Sequence, residues 1–395
     1  MDTKTLLEWS AKYHTPNSGA RAPIVLVRGD GVRVWDSEGR EYLDFGAGIA
    51  VTSLGHCHPR VTGAIQEAAA TLLHVSNLYH SAPQIHLAKL LIEHSFADRV
   101  FFSNSGAEAN EAALKLARKY ARERISSDRY EFVSTRNSFH GRTFATVAAT
   151  GQEKYHHGFE PLVPGFKHVA YNDLRAMERA IDNRTAGVII ECVQGEGGVN
   201  IGEEDYLRGL RKLCDQSGAL LIVDEIQTGV ARTGRLWCYE HYGIEPDIMT
   251  LAKALANGVP IGAMLTREEI ASVLVAGTHG STFGGTPFIT SVALATLTTI
   301  LDGKLWERAA RMGRYLMDGL RNLQAPAVKA VRGKGLLIGA ELDRPVGPVV
   351  DACREAGLLV LSAGERVLRL TPPLIVEERD CDRALGIIGA AVGRA

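Results

Sequence analysis

The sequence lacks an excess of either charge, a long apolar run and any paired cysteine motif. Its 395 residues carry 44 basic and 45 acidic side chains, a formal net charge of −1, with no block of one sign. That balance argues against a phosphate-backbone or anionic-membrane binder, so nucleic acid is not an expected partner. No window approaches the ~18 uninterrupted apolar residues of a membrane span. Met1-Asp2-Thr3-Lys4 opens no apolar signal core, so no membrane partner and a cytoplasmic location are expected. Six cysteines (Cys57, Cys192, Cys214, Cys238, Cys353, Cys381) stand singly, which weighs against disulfides and structural zinc and leaves buried free thiols in a reducing compartment as the expectation. His56, His58, His140, His156 and His157 form no H-x-x-x-H pair beside an acid, so no metal is expected and they read as turn and packing residues. Gly195-Glu196-Gly197-Gly198 is not a dinucleotide fingerprint, since Asn200 stands where a third glycine is required, and no G-x-x-x-x-G-K-[ST] occurs. Glycine alone is plentiful, with 41 residues. Glycine serves where the backbone needs positive φ or must approach a ligand closely.

No internal repeat, Pro-rich linker or low-complexity tract divides the chain, and its length suits a large α/β domain with a smaller companion. Residues 24–45 carry short alternating apolar runs broken by Gly29, Gly31 and Gly39, which predicts a small antiparallel meander. From about 60 to 300, apolar runs (100–102, 131–133, 187–190, 219–223, 248–251) alternate with helical patterns (107–123, 205–217). That alternation predicts an α/β fold whose large domain has a mostly parallel sheet flanked by helices. Beyond 300, helical stretches (305–323, 349–356) alternate with strand-like ones (335–341, 358–361, 367–370), an α+β pattern. The expected division is 1–55 and 301–395 as the two parts of one smaller α+β domain, with 56–300 as the large domain.

The run 219–223 is wholly apolar and ends in Asp224-Glu225-Ile226-Gln227. Carboxyl ends of such strands are where α/β sheets build ligand sites, although a lone Asp there often only caps a helix. A second strand-like run, 247–251, leads into Ala252-Lys253-Ala254-Leu255, where a single lysine sits among small and apolar residues. Burial there would lower its pKa and favour the nucleophilic amine; the alternative is a lysine snorkelling from a surface helix. Asp and desolvated Lys on neighbouring strand ends suit pyridoxal phosphate, which needs an amine for its aldehyde, a carboxylate for its ring nitrogen and an anion site. Ser103-Asn104-Ser105-Gly106-Ala107 opens a helix with an apolar stripe at Ala109, Ala113, Leu116 and Tyr120, and its free N–H groups would make that anion site. Ser281-Thr282, in the Gly-rich 279–285, is a second pair of donors.

These residues resemble the class III, fold-type I pyridoxal-phosphate aminotransferases, and the resemblance runs from Gly29 to Pro373. It is carried by Tyr42-Leu43-Asp44-Phe45, Gly55-His56-Cys57-His58-Pro59, 104–110, Phe139-His140-Gly141-Arg142, 194–198, 224–227, 252–255, 280–285, 333–339 and Arg369-Leu370-Thr371-Pro372-Pro373. It implies that Lys253 bonds the cofactor, Asp224 pairs with the pyridine nitrogen, Gln227 bonds the ring hydroxyl and Phe139 stacks on the ring. Ser105, Gly106 and Ala107 match the phosphate loop, and Glu225 and Ile226 fall within the family's cofactor-binding segment. In the family's homodimers the active sites are shared, so Thr282 would complete the other subunit's phosphate site and Ser281 would lie near substrate. Arg142 matches the arginine for the donor carboxylate, Arg369 the one for glutamate or 2-oxoglutarate, and Glu196 a gate that covers Arg369. Guanidinium pairs bidentately with carboxylate, which explains arginine rather than lysine at both places.

The implied partners are small amino acids and 2-oxo acids, and the implied reaction moves the ω-amino group of N2-acetylornithine to 2-oxoglutarate. Succinylornithine, ornithine and 4-aminobutyrate are alternative donors, and a non-pyridoxal α/β oxidoreductase is a remote one. Ornithine enzymes of the family usually offer a tyrosine just before the meander; residues 15–25 contain none, although Tyr13 is near. Cys192 and Thr286 depart from the family's usual proline and asparagine.

Overall fold

Strands form where aliphatic runs are bounded by glycine or polar residues, and several are buried at every position, among them Thr185–Ile190 and Leu220–Asp224. A strand covered on both faces has no polar alternation, which is why these runs read as continuously apolar. The computed structural model describes residues 2–18 and 21–394. At its centre is a seven-stranded sheet in the order Arg99–Ser103, Gly262–Thr266, Ile248–Leu251, Leu220–Asp224, Thr185–Ile190, Glu131–Thr135 and Phe166–Val169. Gly262–Thr266 runs antiparallel to both neighbours, while the pairings from Ile248–Leu251 through Phe166–Val169 are parallel. The mostly parallel sheet predicted from the alternation is therefore present. Neither the reversed strand nor the Phe166–Val169 edge stands out from periodicity, because Phe-Lys-His-Val is half polar and pairs on one side only.

The helix Gly106–Arg124 begins with Ser105 as N-cap, its Oγ accepting from Glu108 N at 3.2 Å. Its Ala109, Ala113 and Leu116 stripe is fully buried, and Arg122 and Arg124 in the last turn oppose the helix dipole. Glu204–Ser217 stops at Gly218, whose φ of 70° provides the left-handed cap.

The two ends of the chain share a sheet. Leu26–Asp30, Arg33–Asp36 and Glu41–Asp44 form the expected meander, and Leu358–Leu359 adds to it in parallel, pairing Leu358 with Leu43. A second sheet has the order Val328–Lys334, Leu337–Leu342, Val367–Leu370, Leu361–Ser362, with Leu305–Asn322, Gly347–Glu355 and Glu378–Arg394 as helices. This is the smaller α+β part. Val328–Lys334 escapes the sequence pattern because Lys329, Arg332 and Lys334 interrupt its apolar residues on an edge strand. No single helix among the described residues is long and apolar enough to cross a membrane; the pair Pro287–Asp302 and Leu305–Asn322 reaches that composition jointly, but is bent by 68° and contributes Val292, Leu297 and Leu316 to the core.

Close backbone approach accounts for several glycines. A Cβ on Gly262 would lie 2.2 Å from Ser105 O and 2.5 Å from Ser103 Oγ, so only glycine lets this strand lie against the start of Gly106–Arg124. Gly262→Ala is expected to destabilise the fold by about 1–3 kcal/mol through overpacking. Urea denaturation checks this, and a wild-type midpoint would refute the tight approach.

Candidate active site

Asp224 ends its strand with a side chain almost completely buried. Burying a carboxylate is costly unless donors surround it. Here Oδ2 takes His140 Nδ1 and Asn110 Nδ2, each at 2.8 Å, and Oδ1 takes Ile226 N at 3.0 Å. Asn110 also donates to His140 O at 2.8 Å and accepts from Thr250 Oγ1 at 2.7 Å. His140 is not the turn and packing residue expected from sequence. It is buried with Nδ1 on Asp224, and its Nε2 has no partner. Its sequence signal is its place within Phe139-His140-Gly141-Arg142, one of the segments that carry the resemblance.

A cavity of about 410 Å³ opens over Asp224, and Lys253 lies on its wall. Lys253 follows Ile248–Leu251 with φ of 39°, a left-handed conformation that non-glycine residues rarely adopt and that concentrates at functional sites. It is half-buried, its remaining surface facing the cavity, and desolvation lowers its pKa against the opposing pull of Glu196. The turn after it is anchored by Asn257, which accepts from Leu54 N at 2.7 Å and donates to Gly55 O at 3.0 Å.

At another wall stand Ser105, Gly106 and Ala107, the start of a 19-residue helix whose first N–H groups have no intrahelical acceptor. A Cβ on Gly106 would lie 2.8 Å from Ile226 Cδ1, so Ile226 packs directly on this turn. Phe139 and Arg142 line the same cavity, the guanidinium 5.1 Å from the Phe139 ring centre and 5.2 Å from that of Tyr155. Phe139 N donates to Glu191 Oε2 at 3.0 Å. Burial, and then the nearby Asp224, pushes the Glu191 carboxyl well above the carboxylate range at the cavity wall. Glu191 too escaped sequence reading, since a single Glu after a buried strand carries no motif.

Opposite, Glu196 and Gln227 line the cavity while Arg369 is buried behind them. Arg369 Nη1 donates to Glu196 Oε1 at 2.7 Å, Gly195 O at 2.9 Å and Gln227 Oε1 at 3.2 Å; Gln227 Nε2 donates to Glu196 Oε1 at 3.1 Å. Burial raises Glu196, but the charge and hydrogen bond of Arg369, together with Lys253 and Gln227, outweigh it and hold the carboxyl below its ordinary range.

Four of the residues named from sequence are not on the cavity wall: Arg369, which lies behind Glu196 and Gln227, and Glu225, Ser281 and Thr282. Glu225 faces elsewhere: its oxygens take Tyr239 N at 2.8 Å and Thr228 Oγ1 at 2.5 Å. Ser281 and Thr282 lie on an outer loop, where Ser281 Oγ accepts from Asn104 Nδ2 at 3.3 Å and Thr282 is exposed. Cys192 is fully buried, its carbonyl taking Tyr171 OH at 3.0 Å, and Thr286 O accepts from Thr290 Oγ1 at 2.9 Å in the first turn of Pro287–Asp302.

This arrangement joins a desolvated amine, a fixed carboxylate, a helix N-terminus and an aromatic face at the carboxyl ends of central strands in a mostly parallel sheet, the site of a pyridoxal-phosphate enzyme. The family model for class-III aminotransferases matches residues 15–392, and the chain belongs to that family. It is a transaminase that depends on pyridoxal phosphate. The chain is 50% identical over 371 residues to the acetylornithine aminotransferase of Caldanaerobacter subterraneus subsp. tengcongensis, covering 93% of this chain and 94% of that one. It is 48% identical to the acetylornithine aminotransferase of Methanocaldococcus jannaschii, with 98% of each covered. Its structure superposes on the ornithine aminotransferase of Toxoplasma gondii with a TM-score of 0.96 at 37% identity, covering 100% and 96% of the two chains.

Burial pushes the pKa of Glu225 from an ordinary 4.5 up to about 7, so the folded protein holds a proton that the unfolded chain releases in that interval. This group therefore lowers stability as pH rises through the window. Glu225→Gln is expected to shrink the loss of urea midpoint between about pH 5 and pH 7 relative to wild type; an unchanged difference would remove Glu225 as the cause.

Proposed function

We propose that the chain transfers the ω-amino group of N2-acetyl-L-ornithine to 2-oxoglutarate, giving N-acetylglutamate 5-semialdehyde and L-glutamate in arginine biosynthesis. The observation that carries this is near-full-length identity of 48–50% to relatives named acetylornithine aminotransferase. A second reading, ornithine as donor, has the Toxoplasma gondii structural likeness in its favour. Against it, no tyrosine lines the cavity among the described residues, and Tyr13 is exposed on the helix Thr3–Tyr13. A free α-amine would lack a phenol there, whereas an acylated one needs none. Succinylornithine and 4-aminobutyrate are the remaining alternatives.

The residues fit the cofactor. Asp224 would hold the pyridine nitrogen protonated, Phe139 would cover one ring face with Ile226 packed nearby, Gln227 would meet the ring hydroxyl, and Ser105, Gly106 and Ala107 would take the phosphate. Bound pyridoxal phosphate supplies an electron-withdrawing ring that stabilises negative charge on the adjacent substrate carbon. Lys253 Nζ anchors it and then moves a proton from and to that carbon, a task suited to an amine whose pKa is lowered. His140 and Asn110 keep Asp224 oriented. Glu225 is left out of the cofactor set, since its carboxylate is engaged elsewhere.

One pocket must serve two substrates in turn. Arg142 would take the donor carboxylate while Glu196 neutralises Arg369; when the dicarboxylate enters, Glu196 swings away and Arg369 takes the α-carboxylate. Thr282 of a second copy would complete the phosphate site, with Ser281 near substrate, which makes a homodimer the working unit. Exposed Leu73, Leu78, Tyr79, Ile85 and Phe283 support this, because Asn77 bonds Ser281 O and Gly284 O and so binds that apolar surface to the loop. We place the enzyme in the cytoplasm and the domain limits at 55/56 and 300/301, consistent with the sheet shared by the chain ends.

Turnover of acetylornithine, succinylornithine, ornithine and 4-aminobutyrate with 2-oxoglutarate tests the substrate. Acetylornithine is expected to have the highest kcat/KM, and a clear preference for 4-aminobutyrate or ornithine would overturn the assignment. Lys253→Ala is expected to abolish turnover and to remove the yellow chromophore that borohydride bleaches in the wild type; retained activity would refute the role of Lys253.

A further inference from the structure

Two arginines grip the loop that carries Glu196, and they belong to one row of a sheet. The register of the smaller domain pairs Arg332 with Gly339 and Gly339 with Arg369. Residues directly opposite one another lie on the same face, so the glycine stands between the two arginines. Arg369 holds the near end of the loop through Gly195 O at 2.9 Å and Glu196 Oε1 at 2.7 Å. Arg332 holds the far end: Nη2 donates to Gly198 O at 2.6 Å, and Nε is 3.1 Å from both Gly198 O and Val199 O. Its other amino group is held by Glu341.

Between these grips the loop is packed without slack. A Cβ on Gly195 would come within 2.3 Å of Gln227 Oε1, and one on Gly197 within 2.1 Å of Asn137 O. Val199 is fully buried with φ of 51°. A β-branched residue is unfavourable in that region and persists there only where its surroundings over-determine it. Those surroundings are Arg332 on its carbonyl and the empty space over Gly339, where an added Cβ would lie 2.9 Å from Val199 Cβ.

We infer that Arg332 is a positioning residue for the substrate gate: by fixing the far end of the 195–199 loop, it confines the switch between substrates to the Glu196 side chain. The inference rests on Glu196 acting as that gate. Glu196 can cover Arg369 for the monocarboxylate donor only if its backbone stays within hydrogen-bond range, and a shift of about 1 Å is enough to lose such an alignment. With the far end released, Arg369 stays uncovered and attracts carboxylates during both half-reactions. The donor half-reaction then weakens relative to that of glutamate.

The test uses the cofactor-loaded enzyme and single-turnover absorbance changes with acetylornithine and with glutamate, giving kcat/KM for each half-reaction. Arg332→Met is expected to lower the acetylornithine-to-glutamate ratio about tenfold, the scale of losing hydrogen bonds from a charged group. Arg332→Lys is expected to fall between, since one ammonium cannot span two carbonyls as a guanidinium does. Gly339→Ala, whose added Cβ would meet Val199 and Val367 first, leaves both arginines in the chain; it is expected to shift the ratio in the same direction and serves if Arg332→Met does not fold. Glu196→Gln should lower the ratio as well, and adding Arg332→Met to it should lower it no further. If Glu196→Gln shifts the ratio while Arg332→Met and Gly339→Ala leave it at wild type, or slow both half-reactions equally, Arg332 is merely structural and the inference fails. If Glu196→Gln itself leaves the ratio unchanged, the gate reading fails and the inference with it.

Discussion

The Asp224 carboxylate takes three hydrogen bonds at the end of a buried strand, and the walls of the cavity are tied together through its partners. Asn110 sits on the helix whose first turn is Ser105 to Ala107, bonds Thr250 on the strand leading to Lys253, and bonds the carbonyl of His140, next to Phe139. Thus one amide registers the helix start, the lysine strand and the aromatic loop against a single charge. A buried carboxylate with fewer donors would be protonated or displaced, and each wall would lose its reference point. The network therefore orders the site before any substrate enters.

The opposite side of the cavity follows a different logic. Arg369 is buried, and Glu196 supplies the charge that compensates it. Such a pair is stable when closed, but removing one partner leaves an uncompensated charge, so an incoming carboxylate can replace Glu196 only by taking its place on the guanidinium. In the proposed gate the exchange would preserve pairing throughout and would need no movement of the sheet that holds Arg369. The Arg142 wall is more open, with its guanidinium over two aromatic rings and free to meet a carboxylate.

Glycine makes both sides possible by allowing backbones to touch. Gly262 lies against Ser105 O, Gly284 against Phe102 O and Gly197 against Asn137 O, each closer than a side chain permits. The compositional excess thus marks where strand ends, helix starts and gate loop converge. Glycine clusters were visible in the sequence, but the atoms they approach were not, because those atoms are distant in the chain.

The sequence by itself determined the alternation of buried strands and helices, the placement of Asp224 and Lys253 at strand ends, and the capped helix start at Ser105. Each depends on a local pattern: apolar continuity, helical periodicity or a capping residue with its glycine. Tertiary structure alone decided that His140 and Asn110 meet on Asp224, that Glu191 is buried at the cavity wall, that Glu225 turns away, and that Arg332 and Arg369 fall in one row over the 195–199 loop. It also reversed Gly262–Thr266 within an otherwise parallel sheet. Side-chain direction, strand order and cross-strand register follow from contacts between distant segments, and a linear pattern does not contain the distances on which burial and charge depend.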